Sequence, residues 1–211
     1  MSAELLKSLQ ENLMKGKAND VKALCEEAVK QKIPIEKILN DGLIAAMAII
    51  GEKFKNNQVY VPEVLIAARA MNSGMSVLKP LLASANVKAR GKVIIGTVKG
   101  DLHDIGKNLV KMMLEGAGYE VIDLGVNVDS AKFVASAKEK NPDIIAMSAL
   151  LTTTMGAMKE TIDALKNAGI TAKTIVGGAP LTQSFAKEIN ADGYAPDAAS
   201  AVDLVNSLLV A

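Results

Sequence analysis

Tryptophan is absent from this 211-residue chain, cysteine and histidine occur once each, and phenylalanine and tyrosine contribute only three residues apiece. Each scarcity excludes something. A single cysteine forms no disulfide and no Cys-x-x-Cys metal site within the chain. Cys25 lies in an apolar-periodic stretch, where a buried, inert thiol is expected. So few aromatics offer no stacking platform for bases. The 24 Lys and Arg residues are interspersed with 23 Asp and Glu, for a formal net charge of +1, so no basic surface forms. Both features argue against nucleic acid as a partner. No apolar run reaches membrane-spanning length, and Met1-Ser2-Ala3-Glu4 does not begin a signal peptide, so no membrane partner and a cytoplasmic location are expected. The Gly-x-Gly-x-x-Gly nucleotide fingerprint and the phosphate-binding P-loop are also missing.

What the chain has instead is aliphatic periodicity. Half its residues are hydrophobic, so its cores must be built from Ala, Val, Ile, Leu and Met. The first ninety or so residues read as helices. Leu5, Leu6, Leu9 and Leu13 mark the first, which ends near Gly16. Asn19 or Asp20 opens a second carrying Val21, Leu24, Cys25 and Val29. Pro34 stands near the start of a third, with Leu39, Leu43, Ala46, Met47, Ile50 and Phe54 on one face. A fourth starts around Pro62, and its Val64, Ala68, Met71, Met75, Leu78 and Leu82 recur every three or four residues. Four such helices with short connections predict an antiparallel four-helix bundle.

The small, polar stretch Ser84 to Gly91 is the expected linker, dividing the chain into domains 1–88 and 89–211. Beyond it the period changes. Short β-branched runs at Val93–Ile95, Val121–Ile122, Ile144–Ile145 and Thr174–Val176 alternate with helical patterns, and a weak fifth strand is expected at Gly193–Tyr194. A final helix runs from about Asp197 to Leu209. This alternation predicts a doubly wound, Rossmann-like α/β domain. Its five parallel strands take the flavodoxin-type order 2-1-3-4-5.

Ligands bind at the carboxyl edge of such a sheet, where the loops after strands one, three and four are neighbours. The first loop, Gly96 to Asn108, holds the only histidine in Asp101-Leu102-His103-Asp104-Ile105-Gly106. A neutral imidazole is a good ligand for a borderline metal, and a carboxylate on its other nitrogen fixes its tautomer. On its own, such a histidine is more often a structural or simply solvated loop residue. The second edge reads Ser148-Ala149-Leu150-Leu151-Thr152-Thr153-Thr154, rich in hydroxyls, and the third Gly177-Gly178-Ala179-Pro180. Serine and threonine runs also cap helices, and glycine pairs also make plain turns. It is their convergence on one crevice that points to a ligand.

These motifs resemble the cobalamin-binding domains of methionine synthase, the carbon-skeleton mutases and the corrinoid methyltransfer proteins. That family carries Asp-x-His-x-x-Gly, then Ser-x-Leu, then Gly-Gly. Here they stand in that order as Asp101-x-His103-x-x-Gly106, Ser148-x-Leu150 and Gly177-Gly178. The helical half is similar to the cap that precedes such domains, through Gly51-Glu52-Lys53-Phe54 and Tyr60-Val61-Pro62-Glu63. A free-standing cap and B12 domain of this length resembles the small corrinoid proteins of methanogens and acetogens.

The resemblance implies cobalamin or a related corrinoid, cycling between methylcobalamin and cob(I)alamin, as cofactor. It implies His103 as the lower axial ligand of cobalt, replacing dimethylbenzimidazole, with Asp101 as its carboxylate partner beside Asp104, Ile105 and Gly106. Ser148, Leu150, Gly177 and Gly178 match the pocket for the nucleotide tail, and Thr152 another tail contact. Thr154 matches a hydroxyl that extends the ligand–carboxylate chain. Tyr194 and Ala198 match the segment flanking the benzimidazole. Gly178→Val is accordingly expected to block the tail while sparing the apo fold.

The function implied is that of a methyl carrier, not catalytic alone. It would work between a substrate-specific methyltransferase and a second methyltransferase acting on a folate or thiol, with a reductive activase as a further partner. The bundle would cover the methyl face. A B12-dependent sensor or regulator, a B12-binding module of a larger cobalamin enzyme, and a flavodoxin-like response module are the alternatives.

Overall fold

A computed structural model describes residues 2–84 and 87–210. Within the expected linker, Ala85 and Asn86 lie outside the described residues. The chain divides into two compact units, Met1–Ala89 with Gly116–Gly118, and Arg90–Glu115 with Tyr119–Ala211.

The first unit is a helical bundle of α1 (Ser2–Met14), α2 (Ala18–Lys30), α3 (Ile35–Lys37), α4 (Ala45–Lys55) and α5 (Val61–Ser84). A π-helical segment, Ile38–Ile44, joins α3 to α4 without a break. The third expected helix is thus a single rod with a wider turn inside it. The widening shifts the buried face: Ile38 is fully buried, whereas Leu39 beside it is only half-buried. The rod also comes very close to α1, since a Cβ on Gly42 would sit 2.7 Å from the Leu9 side chain. On α5, Gly74 leaves room for Leu43 and for the sulfur of Cys25. Burial, with a smaller push from Glu26, raises the Cys25 thiol to about 12. A thiol so hard to ionise is chemically inert.

The second unit is a five-stranded parallel sheet in the order β2-β1-β3-β4-β5. Its strands are β1 (Lys92–Thr97), β2 (Glu120–Asp123), β3 (Ile144–Ser148), β4 (Lys173–Gly177) and β5 (Gly193–Ala195). The expected order is the observed one. Helices α6 (Ile105–Gly116), α7 (Ser130–Lys140), α8 (Gly156–Asn167), α9 (Gln183–Glu188) and α10 (Ala198–Val210) make the crossovers. Residues 93–97 of β1 are all buried, which requires cover on both faces of the sheet. On one face Phe133 of α7 and Met158, Ile162 and Leu165 of α8 pack on Ile94, Ile145, Met147 and Val176. Full burial of each such side chain contributes about 1.5–3 kcal/mol.

Local signals fix the helix ends. Asp129 accepts the Lys132 amide at 2.8 Å to start α7, a cap that contributes about 1 kcal/mol. Asn141 ends that helix in the left-handed conformation, before Pro142. The strand register then sets the carboxyl edge. Thr97, Ser148, Gly177 and Ala195 are paired in one row across β1, β3, β4 and β5.

Candidate functional site

The loop that leaves β1 is held at several points along its length. Val98 continues the strand by donating to the Ser148 carbonyl at 3.0 Å. Gly100 then turns the chain at φ +84°, which a residue with a Cβ rarely adopts. The buried Thr97 hydroxyl donates to the His103 carbonyl at 2.8 Å, so the loop closes over the end of its own strand.

Asp101 is the centre of this arrangement, and it is fully buried. Its Oδ1 accepts the His103 backbone amide at 3.0 Å and faces His103 Nδ1 at 2.7 Å. Its Oδ2 accepts the Leu150 amide at 2.7 Å, the Leu151 amide at 3.2 Å and the Thr154 hydroxyl at 2.9 Å. The short 3-10 turn Thr152–Thr154 bends the β3 loop back so that these three donors converge. Burial alone pushes the Asp101 carboxyl up. The amides of His103, Leu150 and Leu151 and the imidazole outweigh it and hold the group well below the usual carboxylate range.

A carboxylate that stays ionised accepts and does not donate. The proton between Asp101 and His103 therefore resides on Nδ1, and in the neutral imidazole it is Nε2 that carries the lone pair. The His103 side chain is 50 % exposed, so that lone pair is available to a ligand. This is the state in which an imidazole binds a metal.

Around His103 the surface is unusually apolar. Leu102 is 71 % exposed, Ile105 80 %, Leu150 44 % and Leu151 42 %. Large aliphatic side chains left bare beside a half-exposed imidazole suit a broad ligand with apolar faces. Among the described residues no group of three or more His, Cys, Asp or Glu side chains is placed to hold a bare metal ion. A metal at His103 would have to bring its other ligands with it, and a corrin macrocycle does so.

The sequence-derived residues fall into three groups. Asp101, His103, Leu150 and Thr154 are joined by direct hydrogen bonds. Asp104 serves the start of α6, where its carboxylate takes the Asn108 amide at 3.1 Å and its carbonyl the Asn108 N–H at 2.7 Å. Ile105 and Gly106 follow it in the exposed first turn, and Thr152 is exposed in the β3 loop. Ser148 and Gly177 share the register row. Gly178 has φ +139°, and a Cβ there would run into the Ala149 carbonyl. Its smallness is required by the protein's own backbone, so Gly178→Val is expected to disturb the apo fold rather than spare it.

Tyr194 and Ala198 form the third group, on β5 and at the start of α10. Three strand spacings separate β5 from β1, about 14 Å. A ligand that reaches both His103 and Tyr194 must be long as well as broad.

Some supporting residues carry no signal in a motif search. Leu151 acts through its amide and Thr97 through a hydroxyl at a strand end. Lys107 is a buried cation held by both oxygens of Asp123 at 2.8 and 2.7 Å. Asn127, in the loop after β2, grips the histidine loop from the opposite side to Thr154. A lysine directly after the Asp-x-His-x-x-Gly glycine and an asparagine following a glycine at a strand end were the available clues.

Comparison with known proteins agrees with this chemistry. The B12 binding domain family matches residues 91–203, and a second B12 binding domain family matches residues 5–79. The chain is 39 % identical over 214 residues to a corrinoid protein of Desulfitobacterium hafniense, covering 99 % of each. It is 42 % identical over 210 residues to dimethylamine corrinoid protein 1 of Methanosarcina mazei, covering 98 % of this chain and 97 % of that one. It superposes with TM-score 0.89 and 29 % identity on a chain of the methanol:cobalamin methyltransferase complex of Methanosarcina barkeri, covering 98 % of this chain and 80 % of that one. The chain therefore belongs to the corrinoid proteins with B12 binding domains, and cobalamin or a related corrinoid is its cofactor.

Proposed function

We propose that His103 is the lower axial ligand of cobalt in the bound corrinoid, base-off and His-on. The chain, with a helical cap over 1–88 and a cofactor domain over 89–211, is a cytoplasmic methyl carrier. It serves a substrate-specific methyltransferase and a second methyltransferase that uses a folate or thiol acceptor, and a reductive activase restores it. The observation that carries this reading is the buried Asp101 carboxylate. Its five donors hold it in place against Nδ1 of His103, so that the neutral ring offers Nε2 to cobalt.

The bound group supplies a cobalt centre that takes up and gives up a methyl group. The chain's residues bind and tune it. Asp101 keeps the proton on Nδ1, and Thr154 with the Leu150 and Leu151 amides keeps Asp101 ionised. Leu102, Ile105, Leu150 and Leu151 exclude water around the ring. Ser148, Thr152, Gly177, Gly178, Tyr194 and Ala198 mark the path of the tail toward β5. The similar chains include a dimethylamine corrinoid protein and part of a methanol:cobalamin methyltransferase complex, which supports a methyltransferase partner. The protein has one histidine and one cysteine, and the cysteine is inert. Little remains that could activate a methyl donor, so activation is assigned to the partner.

The test is spectroscopic. In the cobalt(II) state the reconstituted protein shows nitrogen coupling from His103, and His103→Ala abolishes it while retaining some cofactor through the tail. Persistence of the coupling in that variant overturns the ligand assignment. The holo-protein alone leaves methyl donors unchanged, and its corrin spectrum responds only when the cognate methyltransferase is added. Demethylation by the holo-protein without a partner overturns the carrier reading.

Gly106 gives a second check. It lies in the first turn of α6 without a positive φ, and nothing lies within 4 Å of where its Cβ would be. The chain itself has no need of glycine there. Gly106→Ala therefore stabilises the apo protein by about 0.5 kcal/mol through helix propensity. The same variant loses corrinoid, because the open space is clearance for the cofactor. Chemical denaturation and equilibrium dialysis read the two effects, and unchanged retention would remove Gly106 from the site.

A further inference from the structure

We infer that Asn127 is a positioning residue for the cobalt ligand, acting through Asp101, and this rests on the reading of His103 as that ligand. Asn127 lies in the loop between β2 and α7, outside the motifs that mark the cofactor site. Its side-chain Oδ1 accepts the Gly100 amide at 2.8 Å, and its own backbone N–H donates to the Asp101 carbonyl at 2.9 Å. One residue thus grips the Gly100–Asp101 segment at both of its polar groups.

The direction of the grip gives it a role. The Asp101 carboxylate is tied to the β3 side of the loop, by Leu150, Leu151 and Thr154. Asn127 holds the backbone of the same residue from the β2 side, and β1 lies between the two. With carboxylate and backbone fixed from opposite sides, Asp101 can present Oδ1 to Nδ1 in only a narrow range of directions. The Nδ1 bond in turn orients the ring.

The support behind Asn127 is itself firm. Asp123 accepts the Gly125 amide at 2.9 Å and is locked by the buried Lys107, and Gly125 accepts the Thr97 amide at 3.0 Å. Val128 pairs with Val98 just beyond. Asn127 itself adopts φ +52°, a left-handed conformation that asparagine and glycine tolerate best. That preference makes a clean test available. Asn127→Gly keeps the backbone conformation and the backbone N–H but deletes the acceptor for Gly100, and Asn127→Asp restores an acceptor.

The experiment compares the three full-length proteins loaded with cobalamin and reduced to cobalt(II). The ratio of His103-coordinated to uncoordinated cobalt is read from the nitrogen coupling, and apo melting temperatures are measured alongside. Asn127→Gly is expected to lower that ratio about threefold, the effect of an exposed hydrogen bond near the lower end of the 0.5–1.5 kcal/mol range. Asn127→Asp returns it to the wild-type value. Wild-type coupling that persists in Asn127→Gly overturns the positioning role and leaves the ligand assignment standing. A loss that follows the apo melting temperature, or that Asn127→Asp does not reverse, also overturns it. Absence of His103 coupling in the wild-type protein would remove the ligand reading, and this inference with it.

Discussion

Asp101→Asn is expected to leave a folded protein in which His103 cannot serve as the proposed cobalt ligand. The amide oxygen must face Leu150, Leu151 and Thr154, because three donors converge there. The amide nitrogen then faces His103, and it donates to Nδ1 where the carboxylate accepted. An imidazole that accepts at Nδ1 carries its proton on Nε2, so the lone pair needed for the metal is gone. The amide nitrogen also meets the His103 backbone N–H, donor against donor, in a site with no exposed surface on Asp101. One unsatisfied buried donor and the lost charge-assisted bonds together cost about 3 kcal/mol. The expected result is apo protein of reduced stability and loss of histidine nitrogen coupling in the cobalt(II) state. Coupling that survives in Asp101→Asn means that Asp101 does not set the tautomer.

The same substitution has a pH signature. The folded-state pKa of Asp101 is depressed, so its contribution to stability is fully present above the ordinary carboxylate value of about 3.9. It declines as pH falls below that value toward the folded-state pKa. The stability gap between wild type and Asp101→Asn is therefore full at neutral pH and narrows on acidification below about pH 4. Asp123 and Asp192, also depressed against the opposing effect of burial by hydrogen bonds and neighbouring lysines, are present in both proteins and cancel in the comparison. Urea unfolding at neutral pH and near pH 3 measures the gap. A gap that widens on acidification would show that the carboxyl is already protonated at neutral pH.

The order of the sheet was legible because β-branched runs alternate with helical periods, and few topologies accommodate that alternation. Asp101, His103 and Thr154 were legible because their side chains carry the hydrogen bonds, and residue type reports side-chain chemistry. Leu150 and Leu151 show where this stops. The Ser-x-Leu motif marks Leu150 for the tail pocket, and its amide in addition bonds to Asp101, which the motif does not report. Every residue but proline offers an amide, so its use leaves no trace in residue type. The π-helical segment was hidden for a related reason. Leu39 and Leu43 satisfy a regular helical face, and the wider turn that buries Ile38 in place of Leu39 follows from packing against α1. Asn127 lies apart from the loops after strands one, three and four, because β2 pairs with β1 on the other side, and a lone asparagine after a strand carries no motif.

Gly178→Val is expected to damage the protein before any cofactor is added. At φ +139° a side chain is strained whatever space surrounds it, and here the Cβ would also overlap the Ala149 carbonyl. That carbonyl belongs to the loop leaving β3, and the Ala149 amide donates to Gly177 at 3.3 Å, so neither backbone can retreat without opening the β3–β4 edge. The predicted cost is about 3 kcal/mol or more, near 10 °C in apo Tm for a chain of this size. Loss of corrinoid by this variant would therefore not diagnose a blocked tail. Gly177 allows the separate test, since a Cβ there meets only the Ala195 carbonyl at 3.1 Å, a contact that small shifts relieve. Gly177→Ala should keep its apo Tm within about 3 °C of wild type, the equivalent of 1 kcal/mol, and still lose corrinoid. Calorimetry of both apo variants and dialysis against cobalamin separate the two roles. A Gly178→Val protein that melts with wild type would refute the backbone constraint, and normal retention by Gly177→Ala would take the tail away from the β4 turn.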